Sequence, residues 1–130
     1  MKILLTGKPK SGKTTLLKVL IDDTDFKQGF VTEQILKDDV RTGFELVSAE
    51  GVRETLADID SKSHIRVSRY GVNVEQFDTF LSGLPPLAPG KLIYVDEIGQ
   101  MELYSDYFKK LIETYLSAPN PYLGTITSVY

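Results

Sequence analysis

The 130-residue chain has no cysteine and a single histidine, His64. The first absence excludes disulfides, thiolate zinc sites and cysteine nucleophiles, and the second excludes a histidine-built metal site or a histidine pair. No apolar run approaches the ~20 residues that a membrane-spanning helix needs. No small-residue cleavage site follows the opening "KILLTG", so the expectation is a cytoplasmic protein without a signal peptide. Positive charge is also in short supply: 15 Lys and Arg against 18 Asp and Glu leave a net charge of −3. That balance indicates neither nucleic acid nor an anionic membrane as a general partner, and any anion must be held locally. Hydrophobic content of 42% and charged content of 25% suit one globular domain over residues 1–130.

Apolar strands alternating with helical segments predict an α/β fold, with a mostly parallel sheet flanked by helices and an antiparallel hairpin excursion. Lys2–Thr6 reads as a strand covered on both faces, and "TTLLKVLI" as a helix with Leu16, Leu17, Val19, Leu20 and Ile21 on its apolar side. "GFVTEQIL" and "VRTGFELV" flank the turn signal "KDD" as a hairpin, with a short strand to follow near "VRETLA" and a strand-like core at Ile65–Val67. Val74–Leu84 predicts a short helix with Phe77, Phe80 and Leu81 inward, "LPPLAPG" a loop, and "KLIYVDE" a second apolar strand ending in two acids. Ser105–Leu116 carries Phe108, Leu111, Ile112, Tyr115 and Leu116 at helical spacing behind a capping serine, and "PYLGTITSVY" reads as the last strand.

Between the first strand and the first helix stands Gly7-Lys8-Pro9-Lys10-Ser11-Gly12-Lys13-Thr14, which fits G-x-x-x-x-G-K-[ST]. Average residue usage produces this pattern on the order of once per 10⁴–10⁵ positions. Its strand–loop–helix setting therefore favours a phosphate-binding loop over a glycine-rich turn with solvated lysines. Glycines let backbone N–H groups wrap a polyphosphate, and the helix points its positive dipole end at the same anion. Lys13 then reaches the β- and γ-phosphates, and the Thr14 hydroxyl is positioned to ligand Mg²⁺. Such a loop predicts a carboxylate at the end of a neighbouring strand for the metal, supplied by Asp96 of "LIYVDEIG". Glu97 beside it suits a base that activates water next to the γ-phosphate. Arginines are the remaining way to stabilise transition-state charge, among them Arg41, Arg66 and Arg69. Taken singly they read as solvated strand residues, and His64 as a surface or packing residue.

The quoted segments together resemble the small nucleoside-triphosphatase family of the P-loop superfamily, the thermophilic bacterial and human cancer-related type. "KILLTGKPKSGKTTLL" is similar to its opening and "GFVTEQILKDDVRTGFELV" to its hairpin. "IRVSRYGVN" is similar to its Arg-Val-x-x-Tyr-x-Val segment and "VDEIGQMELYS" to its most distinctive signature. The resemblance implies a P-loop fold and Mg²⁺-dependent hydrolysis of ATP, GTP and other nucleoside triphosphates to the diphosphate and phosphate. It also implies Lys13, Thr14 and Thr15 in the phosphate loop, Asp96 in the metal site and Glu97 in water activation. Arg41 and Arg66 match family positions as accessory residues with no assigned step.

Three departures stand out. Thr127 occupies the place of a family histidine, "LPPLAPG" replaces a more often helical region, and members continue past the last strand with a further strand and a helix. The shorter end suggests an exposed C-terminal sheet edge through which copies of the chain associate. Two alternatives stay open from the residues: a small nucleotide or nucleoside kinase on the same scaffold, and a non-catalytic nucleotide-binding module. Glu97 beside Asp96 favours water as acceptor over the first, and the intact Lys13, Thr14, Asp96 and Glu97 set argues against the second.

Overall fold

Apolar residues of the sheet point in turn to two separate cores, one on each face, and this alternation organises the molecule. A computed structural model describes residues 1–7 and 12–127. The strands are β1 (Lys2–Gly7), β2 (Lys27–Lys37), β3 (Val40–Ser48), β4 (Arg53–Asp58), β5 (Arg66–Val67), β6 (Tyr70–Val72), β7 (Leu92–Ile98) and β8 (Tyr122–Thr127). The helices are α1 (Lys13–Asp22), α2 (Val74–Ser82) and α3 (Asp106–Ser117). The sheet runs β1-β8-β7-β2-β3-β4-β6-β5.

Its first four strands are parallel, and from β2 onward every pairing is antiparallel. The sheet is therefore mixed in nearly equal parts, and the expected mostly parallel sheet is corrected. The reason is local. Asp38 and Asp39, at φ 51° and 63°, make the tight left-handed turn that folds β3 back on β2, and the following strands continue as a meander.

On one face Phe30 sits at the centre of an aromatic cluster, edge-on to Phe77, Phe80 and Phe108 at 6.1, 5.7 and 6.3 Å between ring centres. This core joins α2 and α3 to the sheet, and each such buried ring stabilises the fold by roughly 1.5–3 kcal/mol. The inward set expected for α2 is confirmed, with Phe77, Phe80 and Leu81 buried. Ser105 caps α3 as expected, its Oγ accepting the Phe108 N–H at 2.9 Å. On the other face Leu17 and Ile21 of α1 pack on Val31, Tyr94 and Leu123. Gly29, at φ +146°, lets β2 and β7 meet there, because a Cβ would lie 1.8 Å from the Tyr94 carbonyl oxygen.

Two expectations about edges are overturned. β8 lies between β1 and β7, so the C-terminal strand is not the sheet edge; β1 is. β1 is correspondingly not covered on both faces, and Ile3 and Leu4 are exposed. α1 buries only Leu17 and Ile21 of its apolar set and leaves Leu16, Val19 and Leu20 exposed. A helix resting on a sheet presents one narrow stripe to it, and the flanking positions are exposed.

Burial pushes the Tyr94 phenol from 10 up to about 12, with Glu50 and Asp22 adding to the effect. The folded state therefore prefers the neutral ring. Its stabilising contribution is complete below pH 10 and is lost as pH rises through about 12. Thermal midpoints measured across that window should fall with pH, and Tyr94→Phe should make the fall shallower. A variant with an unchanged slope would contradict this assignment.

Candidate active site

β1, β7 and β8 end together, and the sequence places its anion-binding and acidic residues at that shared end. Gly12 at φ +89° turns the chain into α1 in a left-handed conformation that glycine alone adopts without strain. α1 has no capping side chain and no acid in its first turn, unlike α3, which has Ser105 and Asp106. A helix start of this kind, with the positive end of the dipole behind it, suits an anion.

Lys13 heads the helix and is buried, its Nζ donating to the Ile126 carbonyl of β8 at 3.5 Å. Asp96, at the end of β7, is also buried. Thr125 Oγ1 donates to Asp96 Oδ1 at 2.5 Å, while Asp96 Oδ2 is buried without a hydrogen-bond partner. A carboxylate oxygen in that condition is costly unless a cation completes it. One oxygen tied to a hydroxyl and one without a partner suit a hard divalent cation, which takes oxygen ligands.

Glu97 is partly buried. Burial first, and then the Asp96 charge, raise its carboxyl above the usual range, and Lys13 opposes them. Its proton affinity is thus increased. Glu102, also buried, accepts the Gly99 N–H at 2.9 Å and so holds the turn that follows β7.

The structure thus gathers Gly7, Gly12, Lys13, Asp96 and Glu97 at one end of β1, α1 and β7. Thr15 is exposed on the first turn of α1. Lys8, Pro9, Lys10, Ser11 and the Thr14 and Thr127 side chains lie outside the described residues. Arg41 and Arg66 are not brought to Lys13. Val31 of β2 is level with Asp96, and Arg41 pairs with Leu36 five residues further on, about 16 Å along the strand. Arg66 is on β5 at the far edge of the sheet. His64 is exposed near the same edge.

Thr125 is a site residue that sequence reasoning missed. Its only signal is a hydroxyl inside an apolar strand, and its meaning depends on β7 and β8 being neighbours. Their register, Val95 opposite Gly124, brings Thr125 alongside Asp96.

A parallel strand, a left-handed glycine, an uncapped helix headed by a buried lysine and an acid on a nearby strand define an α/β protein of the phosphate-binding-loop class. A family model described as NTPase matches residues 2–129. The nucleoside-triphosphatase THEP1 of a Thermotoga species, strain RQ2, is 38% identical over 97% of this chain and 74% of its own length. The crystal structure of THEP1 from the hyperthermophile Aquifex aeolicus superposes with a TM-score of 0.81 at 34% identity, over 98% of this chain and 77% of that one. The solution structure of a human cancer-related nucleoside triphosphatase gives 0.76 at 30% identity, over 99% and 77%. The chain belongs to the NTPase family.

Proposed function

We propose that residues 1–130 act as a nucleoside-triphosphatase that cleaves the β–γ phosphoanhydride bond of ATP, GTP and related triphosphates with Mg²⁺. The observation that carries the reading is the convergence of buried Lys13, the half-satisfied Asp96 carboxylate and the raised Glu97 at one end of the sheet. Gly7–Thr15 hold the polyphosphate, with Lys13 on the β- and γ-phosphates. Asp96 and the Thr14 hydroxyl would hold Mg²⁺, which when bound neutralises charge on the β- and γ-oxygens. Thr125 holds one oxygen of the Asp96 carboxylate, which leaves the second to take the metal. Glu97 orients a water and takes its proton as the water oxygen bonds to the γ-phosphorus. The bridging P–O bond breaks, and the nucleoside diphosphate leaves with the electron pair.

The test is steady-state phosphate release with each triphosphate, with and without Mg²⁺ and with candidate hydroxyl acceptors. Release that requires Mg²⁺ and needs no acceptor is expected, and release only with an acceptor would favour a kinase. The chain has no Asn-Lys-x-Asp guanine-reading segment. ATP and GTP should accordingly be used within about tenfold of each other in kcat/KM, or ~1.4 kcal/mol. A wider preference measured in the same assay would reveal a base pocket that this reading lacks.

A further inference from the structure

β2 pairs with β7 only as far as Val31 opposite Asp96, but with β3 as far as Lys37 opposite Val40. The hairpin therefore projects by about 20 Å beyond the level of the acids, at the end of the sheet where they lie. Near its tip three arginines come together from two parts of the chain. Arg41 stands over the rings of Phe44 and Tyr70, at 5.2 and 5.9 Å, and donates from Nε to the Tyr70 hydroxyl at 3.0 Å. Arg69 stands over Tyr70 at 5.4 Å and donates to the Arg41 carbonyl. Arg66 donates to the Arg69 carbonyl at 2.8 Å and to the Ser61 carbonyl at 2.9 Å.

All three guanidiniums belong to exposed residues, and among the described residues none lies within ion-pair distance of a carboxylate. Asp38 and Asp39 in the adjoining turn do not pair with them. Arg53, in the same sheet, shows the ordinary solution: it pairs with both Glu33 and Glu45. Tyr70 is buried, which favours its neutral form. Hydrogen bonding and charge from Arg69 and Arg41 outweigh this and bring its phenol below the usual range.

In a chain of net charge −3, three arginines with no carboxylate partner among the described residues are therefore linked to one another through backbone carbonyls, two of them over an aromatic plate. The rings back Arg41 and Arg69, and the Arg41 Nη groups and the Arg69 Nε and Nη1 hold no partner among the described residues, which leaves them as the contact edge. That planar fork matches phosphate oxygens. Three arginines suit a single phosphate group better than a nucleic-acid backbone, whose contacts require a longer basic stripe.

We propose that Arg41, Arg69 and Arg66 form a second anion site that takes a phosphate group other than the one cleaved. The separation of Arg41 from Asp96 along the hairpin makes it distinct from the phosphate loop. Its ligand is inorganic phosphate or the phosphate of a second, esterified ligand.

The test uses the full chain with nitrogen-15 arginine, following the Nε–Hε resonances while inorganic phosphate or phenyl phosphate is added. Saturable shifts of the Arg41 and Arg69 signals are expected in the unaltered protein and in Lys13→Ala. In Arg41→Gln and Arg69→Gln the affinity read from the remaining arginine signals should fall at least tenfold. Tighter binding of phenyl phosphate identifies an esterified ligand, and equal binding identifies free phosphate. An absence of saturable shifts in the unaltered protein, or their loss in Lys13→Ala, would overturn the proposal. The first of these needs no variant to fold, and both leave the hydrolysis assay free to succeed or fail on its own.

Discussion

Replacing Glu97 by Gln should reduce phosphate release by roughly 10²–10⁴-fold while Mg·ATP still binds with its original affinity. The amide keeps the size of the side chain and can still hydrogen bond to a water, but it cannot take the proton. Burial and the neighbouring Asp96 raise the proton affinity of Glu97, so its neutral replacement fits the same surroundings without a new desolvation cost. Asp96→Asn should behave differently, losing the Mg²⁺ requirement and nucleotide affinity together, since the proposed metal would be held by the Asp96 oxygen that has no partner. Phosphate release and calorimetric affinity, measured on both variants, separate the two roles. A Glu97→Gln enzyme that turns over at the original rate would assign the proton to another acceptor. Glu102 is a poor candidate, because its carboxylate already holds the Gly99 N–H.

Lys13→Ala should produce the largest loss of binding. Removing a charge-assisted contact to the β- and γ-phosphates costs about 1.5–3 kcal/mol, or roughly ten- to a hundred-and-fifty-fold in Kd. The lysine is held in place by burial at the head of α1 and by the Ile126 carbonyl, so little side-chain entropy remains to be lost when nucleotide arrives. Calorimetry with ATP checks the value, and circular dichroism checks that the fold survives. Equal affinity in the variant would remove the phosphate-loop assignment altogether.

What the sequence made legible was local. Ser105 announces α3 because a capping hydroxyl acts on an N–H only three residues away, and Phe77, Phe80 and Leu81 announce their own burial by helical spacing. That Gly12, Lys13, Asp96 and Glu97 would come together was readable because each stands at or near a strand or helix end. The features that escaped depend on which strands are neighbours. An apolar run such as "KILLT" records a demand for burial but not the position of its strand, and β1 proves to be an edge with Ile3 and Leu4 exposed. "YLGTIT" was expected at the edge because it comes last, yet β8 is inserted between β1 and β7. The same long-range order makes Thr125 the partner of Asp96 and collects Arg41, Arg66 and Arg69, which are scattered as single charges along the chain.

The central claim is that water attacks the γ-phosphorus of a nucleotide held at Lys13 and Asp96. Its most direct test is hydrolysis of ATP in heavy-oxygen water, with the products analysed by mass. One heavy oxygen in each released phosphate and none in the diphosphate is the expected result. Heavy oxygen in the diphosphate, or no phosphate at all until a hydroxyl acceptor is supplied, would contradict it.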